Sequence, residues 1–358
     1  MDRLTCPYCS SNYSRDHKLW RCRCGRPLSL CYHPSFQVDK IRKDAVNIWR
    51  YQEMLPIADD KKIVSLGEGF TDLVPLKIDK KQVLVKMDHQ MPTGSFKDRG
   101  ASVLMSKIKE LGVSEVVEDS SGNAGCAIAA YSQKAKIGCK ILVPEKTPEQ
   151  KLRKIRNFGV NLTVIPGDRE DCARAAMEMA EKIFYASHVW NPFFISGTRT
   201  FGYEVSEQLG WQVPDAVVLP CGNGTLLLGA YLGFKDLVWS KVINQIPRII
   251  GVQAANCSPL AAAFSGREVQ LGRKETVARG IAIARPPRAQ EIIQSVKATK
   301  GLFITVSEPE IEDALKLSED LGYHIEPTAA ATIAGLRRYL HQASTDELIV
   351  SVFSGQNV

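Results

Sequence analysis

The chain has 358 residues, 44% hydrophobic and 24% charged, with a formal net charge of +7. This composition excludes a disordered or fibrous polymer, and a chain of this length buries most of its extended surface in about two domains. The charge is uneven: residues 1–50 carry ten Lys/Arg against four Asp/Glu while the rest nearly balances, so nucleic acid is not an expected partner of the body.

The chain begins with a cysteine cluster, Cys6-x2-Cys9-x12-Cys22-x-Cys24-Gly25. Two knuckles supply four thiolates, the set that tetrahedral zinc accepts without an open position. A segment this short has too little core of its own, so a structural metal would stabilise it. The second knuckle is one residue shorter than the usual C-x2-C, which makes Cys31 an alternative ligand; a ribbon without metal is the other reading. Residues 1–35 are thus expected to be a zinc-ribbon-like segment, separable from a body with its own core. The other cysteines are scattered singly, which argues against a disulfide framework. The first residues lack the apolar centre of a signal peptide, and no run of 18 residues is uncharged and apolar. The expected location is cytoplasmic, with no membrane partner.

From Lys81 onward, strand-like and helix-like stretches alternate. Strands are expected over Gln82–Asp88, Glu115–Asp119, Cys139–Val143 and Val160–Ile165, then over Ala216–Leu219, Ile249–Val252, Leu302–Val306 and Leu348–Phe353. Helical spacing covers Phe96–Leu111, a small-residue stretch to Ala135, Thr147–Phe158 and Asp168–Phe184. Such alternation predicts an α/β fold with parallel sheets, whose working loops lie at the carboxyl ends of strands. Three loops open helices, where amides and the helix dipole attract anions: Pro92–Gly100, Ser120–Gly125 and Pro220–Thr225.

Together these segments resemble the threonine synthase branch of the fold type II, or tryptophan synthase β-like, pyridoxal-phosphate (PLP) enzymes. Pro92-Thr-Gly-Ser-Phe-Lys97-Asp-Arg-Gly100 is similar to the segment that carries the Schiff-base lysine. Leu66-Gly-Glu-Gly-Phe-Thr71, Ser120-Ser-Gly-Asn123, Glu326-Pro-Thr-Ala-Ala330 and Ser351-Val-Phe-Ser354-Gly355 resemble further family segments. The resemblance implies two parallel-sheet domains of PLP fold type II behind the ribbon. The expected larger domain is 36–92 with 200–358, and the smaller is 93–199. It also implies a homodimer and a small amino-acid substrate. Lys97 would be the catalytic and cofactor-bearing lysine. Gly222, Asn223, Gly224, Thr225 and Leu226 offer consecutive amides and a hydroxyl, with no carboxylate, for the cofactor phosphate. Asn123 would bond the ring hydroxyl and Ser354 the pyridine nitrogen. A hydroxyl rather than a carboxylate at that nitrogen favours elimination or replacement over transamination.

The implied activity is that of a PLP-dependent lyase most like threonine synthase, converting O-phosphohomoserine and water to threonine and phosphate. The alternative is β-elimination or β-replacement on threonine, serine or O-phosphoserine, as in a dehydratase or a cysteate synthase. A second alternative is an inactive PLP-fold binding protein. The sequence departs from the family where a substrate phosphate would be held. Ala124 stands where a hydroxyl is common, and Phe193-Phe194 follows Asn191-Pro192 where an arginine is common. Ser120, Ser121 and Arg199 are the expected substrate-binding residues, with Arg199 the preferred substitute cation over His188 and Lys146.

Overall fold

The computed structural model describes residues 3–32, 34–268 and 275–357. In chain order the strands are β1 (Arg3–Thr5), β2 (Asn12–Ser14), β3 (Ser29–Cys31), β4 (Leu73–Ile78), β5 (Lys81–Lys86), β6 (Glu115–Glu118), β7 (Gly138–Pro144), β8 (Asn161–Ile165), β9 (Phe184–Tyr185), β10 (Ala216–Pro220), β11 (Arg248–Ala254), β12 (Leu302–Val306) and β13 (Ile349–Val352). The α-helices are α1 (Lys97–Glu110), α2 (Asn123–Ala135), α3 (Glu149–Arg156), α4 (Arg169–Met179), α5 (Pro192–Thr198), α6 (Thr200–Gln208), α7 (Thr225–Trp239), α8 (Pro259–Phe264), α9 (Ala289–Ala298), α10 (Glu308–Asp320) and α11 (Pro327–Leu340). They fall into two compact units. The first comprises Met1–Pro34, Asp39–Gly69 and Lys97–Thr198, and the second Ser35–Val38, Phe70–Phe96 and Arg199–Val358.

The first unit holds two sheets. One is parallel, in the order β8-β7-β6-β9; the other is the antiparallel ribbon β2-β1-β3. The ribbon packs on the helices of this unit. Leu4, Cys6, Cys22, Leu28 and Leu30 share one apolar core with Ala101, Leu104, Met105 and Ile108 of α1 and with Ala127 and Tyr131 of α2. Trp20 packs edge-on against Tyr185 and Trp190, with ring centroids 5.2 and 5.4 Å apart. Lys107, buried on α1, reaches Asp16 and Glu110 at 2.6 Å each. The ribbon's inner face finds its apolar partners on α1 and α2.

Asp39–Gly69 also clusters with this unit, not with the larger unit in which the sequence reading puts residues 36–92. Glu68 supplies the reason. Its buried carboxylate accepts from Trp49 Nε1 (3.0 Å), the Tyr131 hydroxyl (2.8 Å) and the Leu66 amide (2.8 Å). Breaking that set would strand a carboxylate in the core, so the segment stays with α2. A second departure is in Asp168–Phe184: α4 ends at Met179, and Phe184–Tyr185 forms a two-residue edge strand beside β6.

The second unit has one six-stranded sheet, β12-β11-β10-β13-β5-β4, parallel except for the antiparallel edge strand β4. The strands expected from sequence begin only after Lys81, so β4, which contains Pro75, is an addition. At a sheet edge a missing N–H is tolerated. The central strand β10 is buried at every position, as a parallel strand covered on both faces requires. Ala216 and Val218 share a core with Ile311 and Ala314 of α10 and with Ala330, Ile333 and Leu336 of α11. No helix among the described residues is long and apolar enough to cross a membrane.

Candidate functional site

Each unit presents its share of the expected residues at the carboxyl ends of its own parallel strands. In the first unit, β6 runs into Asp119 and the turn Ser120–Gly122, and α2 starts at Asn123. Ser120 Oγ accepts from the Gly122 amide at 3.3 Å. A Cβ at Gly125 would lie 1.8 Å from the Ser120 carbonyl oxygen, so only glycine permits this turn. Ser120, Ser121 and Asn123 are half-buried, whereas Ala124 is buried at 2% exposure. Lys97, half-buried, opens α1, where the helix dipole disfavours a positive charge.

The same edge carries two buried acid pairs that the sequence reading missed. His188 Nδ1 lies 2.6 Å from Glu118 Oε1, and the Tyr185 hydroxyl donates to Asp119 Oδ1 at 2.6 Å. Burial raises the Glu118 carboxyl well above its usual range and lowers His188 well below its own. Adjacent acids at the end of a strand, Glu118-Asp119, were the available signal. Their partners arrive from 66 to 70 residues away.

Phe193 and Phe194 are core residues. Phe194 lies on Gly100, where a Cβ would sit 2.4 Å from the ring, and Lys107 Nζ is 5.5 Å from the Phe193 ring centroid. A Cβ at Gly197 would meet the Arg99 carbonyl oxygen at 2.0 Å. The pair Gly100 and Gly197 therefore lets α1 and α5 touch backbone to backbone, and the aromatic rings lock that crossing.

In the second unit, β10 ends at Pro220 and α7 starts at Thr225. Gly224 caps α7 with φ +70°, and a Cβ there would meet Ile292 Cδ1 at 2.4 Å. A Cβ at Gly222 would lie 2.9 Å from the Gly280 carbonyl oxygen. Both glycines are forced, and the first-turn amides of α7 have no intrahelical acceptor. Thr225 and Leu226 are buried, and no acidic residue lies between Pro220 and Leu226.

Ser354 follows β13 and is 1% exposed, and its Oγ has no hydrogen-bond partner among the described residues. Its carbonyl accepts from the Phe96 amide at 3.0 Å, Ser95 bridges Gly355, and the Gln356 amide donates to Gly94 at 2.9 Å. The residues immediately before Lys97 in the chain are thus stitched to the segment carrying Ser354. A buried hydroxyl without a partner is costly unless a ligand atom completes it. That orphan, with a charge-free amide cradle at α7, fits a pyridine nitrogen and a phosphate.

Arg199 is committed elsewhere. It is buried at the start of α6, with Nη1 3.0 Å from Asp236 Oδ2, and Tyr203 donates to the same oxygen at 2.6 Å. The expected role as a substitute phosphate ligand therefore meets a guanidinium already paired with a carboxylate, although its Nε lacks a partner.

Cys6, Cys9, Cys22 and Cys24 place their Sγ atoms within 4.8 Å of one another, with Cys6–Cys24 and Cys9–Cys22 at 3.5 Å. The short second knuckle closes because Gly25 takes φ +82° and donates to the Cys22 carbonyl at 2.9 Å. Cys31 pairs with Arg3 in the ribbon sheet and is not in the cluster.

Residues 64–355 match the family model described as pyridoxal-phosphate dependent enzyme. The chain belongs to this family. It is 33% identical to a threonine synthase of Methanocaldococcus jannaschii, over 99% of this chain and 92% of that protein. It is 31% identical to a threonine synthase of Methanosarcina acetivorans, over 99% and 91%. Among solved structures, the processed threonine deaminase isoform 2 of Solanum lycopersicum superposes with TM-score 0.72 at 23% identity, covering 91% of this chain and 87% of that one, a likeness of fold. Serine racemase of Dictyostelium discoideum gives TM-score 0.69 at 26% identity, over 80% and 92%. The chain is a PLP-dependent enzyme of fold type II and of the threonine synthase-like lyase type.

Proposed function

We propose that this enzyme converts O-phosphohomoserine and water to threonine and phosphate, with Lys97 as the lysine that carries the cofactor. The observation that carries the cofactor reading is the buried, partnerless Ser354 hydroxyl, tied through the Phe96 amide to the segment entering Lys97. Similarity to two archaeal threonine synthases over nearly the whole chain supports the substrate. When bound, PLP supplies an electron sink that acidifies the substrate Cα–H. The protein's own residues do the rest. Lys97 Nζ takes and returns protons. Ser354 gives the ring nitrogen a neutral hydrogen bond, and Asn123 holds the ring hydroxyl. The amides of Gly222, Asn223, Gly224, Thr225 and Leu226 hold the cofactor phosphate without a competing carboxylate. Ser120 and Ser121 bind the substrate carboxylate.

Borohydride reduction of the holoenzyme should fix a pyridoxyl group on Lys97; mapping to any other lysine defeats the assignment. Phosphate and threonine should form from O-phosphohomoserine. A second reading, elimination or replacement on serine, threonine or O-phosphoserine, is favoured by the Arg199–Asp236 pair and by buried, apolar Ala124, which leave the usual phosphate ligands unsupplied. Pyruvate or 2-oxobutanoate in the same assay decides for it.

Cys6, Cys9, Cys22 and Cys24 hold one structural zinc in this proposal. Zn–S bonds of about 2.3 Å in a tetrahedron imply sulfur separations of about 3.8 Å, close to the spacing of the cluster. Metal analysis should return about one zinc per chain. Homodimer formation belongs to the same proposal and is read from the sedimentation mass.

A further inference from the structure

The ribbon carries a hydroxyl that the proposed function leaves without a role. The Tyr13 oxygen lies 3.1 Å from Cys22 Sγ and accepts from the Arg23 amide at 3.2 Å. Tyr13 is the middle residue of β2, opposite Leu4 of β1, and is half-buried between exposed Asn12 and Ser14. The strand period therefore turns its side chain inward, and half-buried Ser11, two residues earlier, reaches the cluster as well. Ser11 Oγ is 3.3 Å from Cys9 Sγ. Cys9 and Cys22, 3.5 Å apart, thus have one hydroxyl each. Cys6 and Cys24 form the other 3.5 Å pair, and no hydroxyl reaches either among the described residues.

The direction of these bonds follows from the ligand chemistry. A cysteine that holds zinc does so as the thiolate, which can only accept. The Tyr13 oxygen receives the Arg23 N–H, so its own O–H is left to donate to Cys22 Sγ. Amide, hydroxyl and sulfur form one chain in which each bond polarises the next. Arg23 lies between Cys22 and Cys24, so the same hydroxyl also ties the backbone of the short second knuckle to β2. Two amides of that knuckle are turned away from sulfur, Arg23 to the Tyr13 oxygen and Gly25 to the Cys22 carbonyl at 2.9 Å. The Tyr13 O–H returns a donor to Cys22 Sγ. Four thiolates outweigh the charge of one zinc ion and leave the cluster anionic. A donor to a sulfur spreads that charge, and with Cys22 only 2% exposed, water is a poor replacement.

We propose that Tyr13 is a positioning residue for the ribbon metal: its hydroxyl holds Cys22 Sγ in place as a thiolate ligand and slows the loss of zinc. The proposal rests on the reading of Cys6, Cys9, Cys22 and Cys24 as a zinc site. Tyr13→Phe keeps the ring, which lies edge-on to His17 with centroids 6.3 Å apart, and removes only the oxygen.

The test uses the full-length, zinc-loaded chain and an excess of a chromogenic pyridylazo chelator. Tyr13→Phe should release zinc about tenfold faster than wild type. Ser11→Ala, which removes the longer and more exposed contact, should change the rate less. A second reading separates the hydrogen bond from packing. With cobalt(II) in place of zinc, loss of the donor raises the energy of the sulfur lone pairs, so the thiolate-to-cobalt charge-transfer band should move to longer wavelength in Tyr13→Phe. A purely structural role would leave the band in place. Faster release together with the shifted band supports the proposal, and either one without the other overturns it. If Tyr13→Phe does not fold, fluorotyrosine placed at position 13 keeps the shape and strengthens the donor. The band should then move to shorter wavelength, and a stationary band overturns the proposal. Wild type that takes up neither zinc nor cobalt refutes the zinc reading itself, and this inference with it.

Discussion

The carboxyl edges of the two parallel sheets solve different problems with different chemistry. At β6 and β9 the side chains are ionisable and buried in pairs, Glu118 with His188 and Asp119 with Tyr185. At β10 and β13 the groups are amides of Gly222–Leu226 and the hydroxyl of Ser354, with no acid between Pro220 and Leu226. Control of protons needs groups whose charge is set by burial. Binding of an anion needs donors that never change charge. Substitutions that break the pairs of the first edge should therefore act on stability, and removal of a donor at the second chiefly on ligand retention.

The largest effect expected is at Lys97, which opens α1 in the unit that carries the first edge. Lys97→Ala should lower turnover by about a thousandfold or more, and borohydride should no longer fix the cofactor. Residual turnover near wild type would remove Lys97 from the chemistry. Next in size is the brace behind that edge. Trp20→Ala empties the site against Tyr185 and Trp190 and should cost about 3–5 kcal/mol in urea unfolding. Chelating the zinc proposed for the ribbon should lower stability in the same way and make Cys6, Cys9, Cys22 and Cys24 titratable.

At the second edge, Gly224→Val forces a β-branched residue to φ +70° against Ile292. It should weaken cofactor affinity about tenfold, a strain of about 1–2 kcal/mol, as read by equilibrium dialysis. A paired measurement sharpens the contrast further. Tyr185→Phe removes the donor to buried Asp119 and should destabilise the cofactor-free chain by about 1–3 kcal/mol. Ser354→Ala removes a hydroxyl without a protein partner, so it should leave that stability unchanged while loosening the cofactor by about 0.5–1.5 kcal/mol. Equal destabilisation by the two would erase the distinction between the edges.

The smallest effect concerns the ribbon. The hydrogen bond from Lys107 holds the Asp16 carboxyl below its usual range. A depressed acid contributes stability that is present above its unfolded value and lost as pH falls through its lower folded value. Asp16 is largely exposed, so solvent screening limits the term to about 0.5 kcal/mol. Asp16→Asn should flatten this part of the acid-side decline in melting temperature, and an unchanged slope would show that the contact carries no linkage.

Much of the framework was legible in the residues because local chemistry specified it. Strand and helix alternation from Lys81 to Phe353 predicts parallel sheets; α1 begins one residue after the expected Phe96, while α2 and α7 open inside the loops Ser120–Gly125 and Pro220–Thr225. β4 lies before the alternating stretch, and its Pro75 is compatible with a strand only because the strand lies at a sheet edge. Phe184 was read into the end of a helix because a two-residue strand carries no period of its own.

What the sequence determined by itself was a set of short-range facts: four thiols at knuckle spacing, glycines where only glycine fits, and a lysine at the start of α1. Partnership was decided by the tertiary structure. Glu68 ties Asp39–Gly69 to α2, Asp236 engages Arg199, and His188 reaches Glu118 across 70 residues of chain. Each is a buried charge or polar group whose cost depends on what surrounds it. No single stretch of sequence holds both the group and its surroundings.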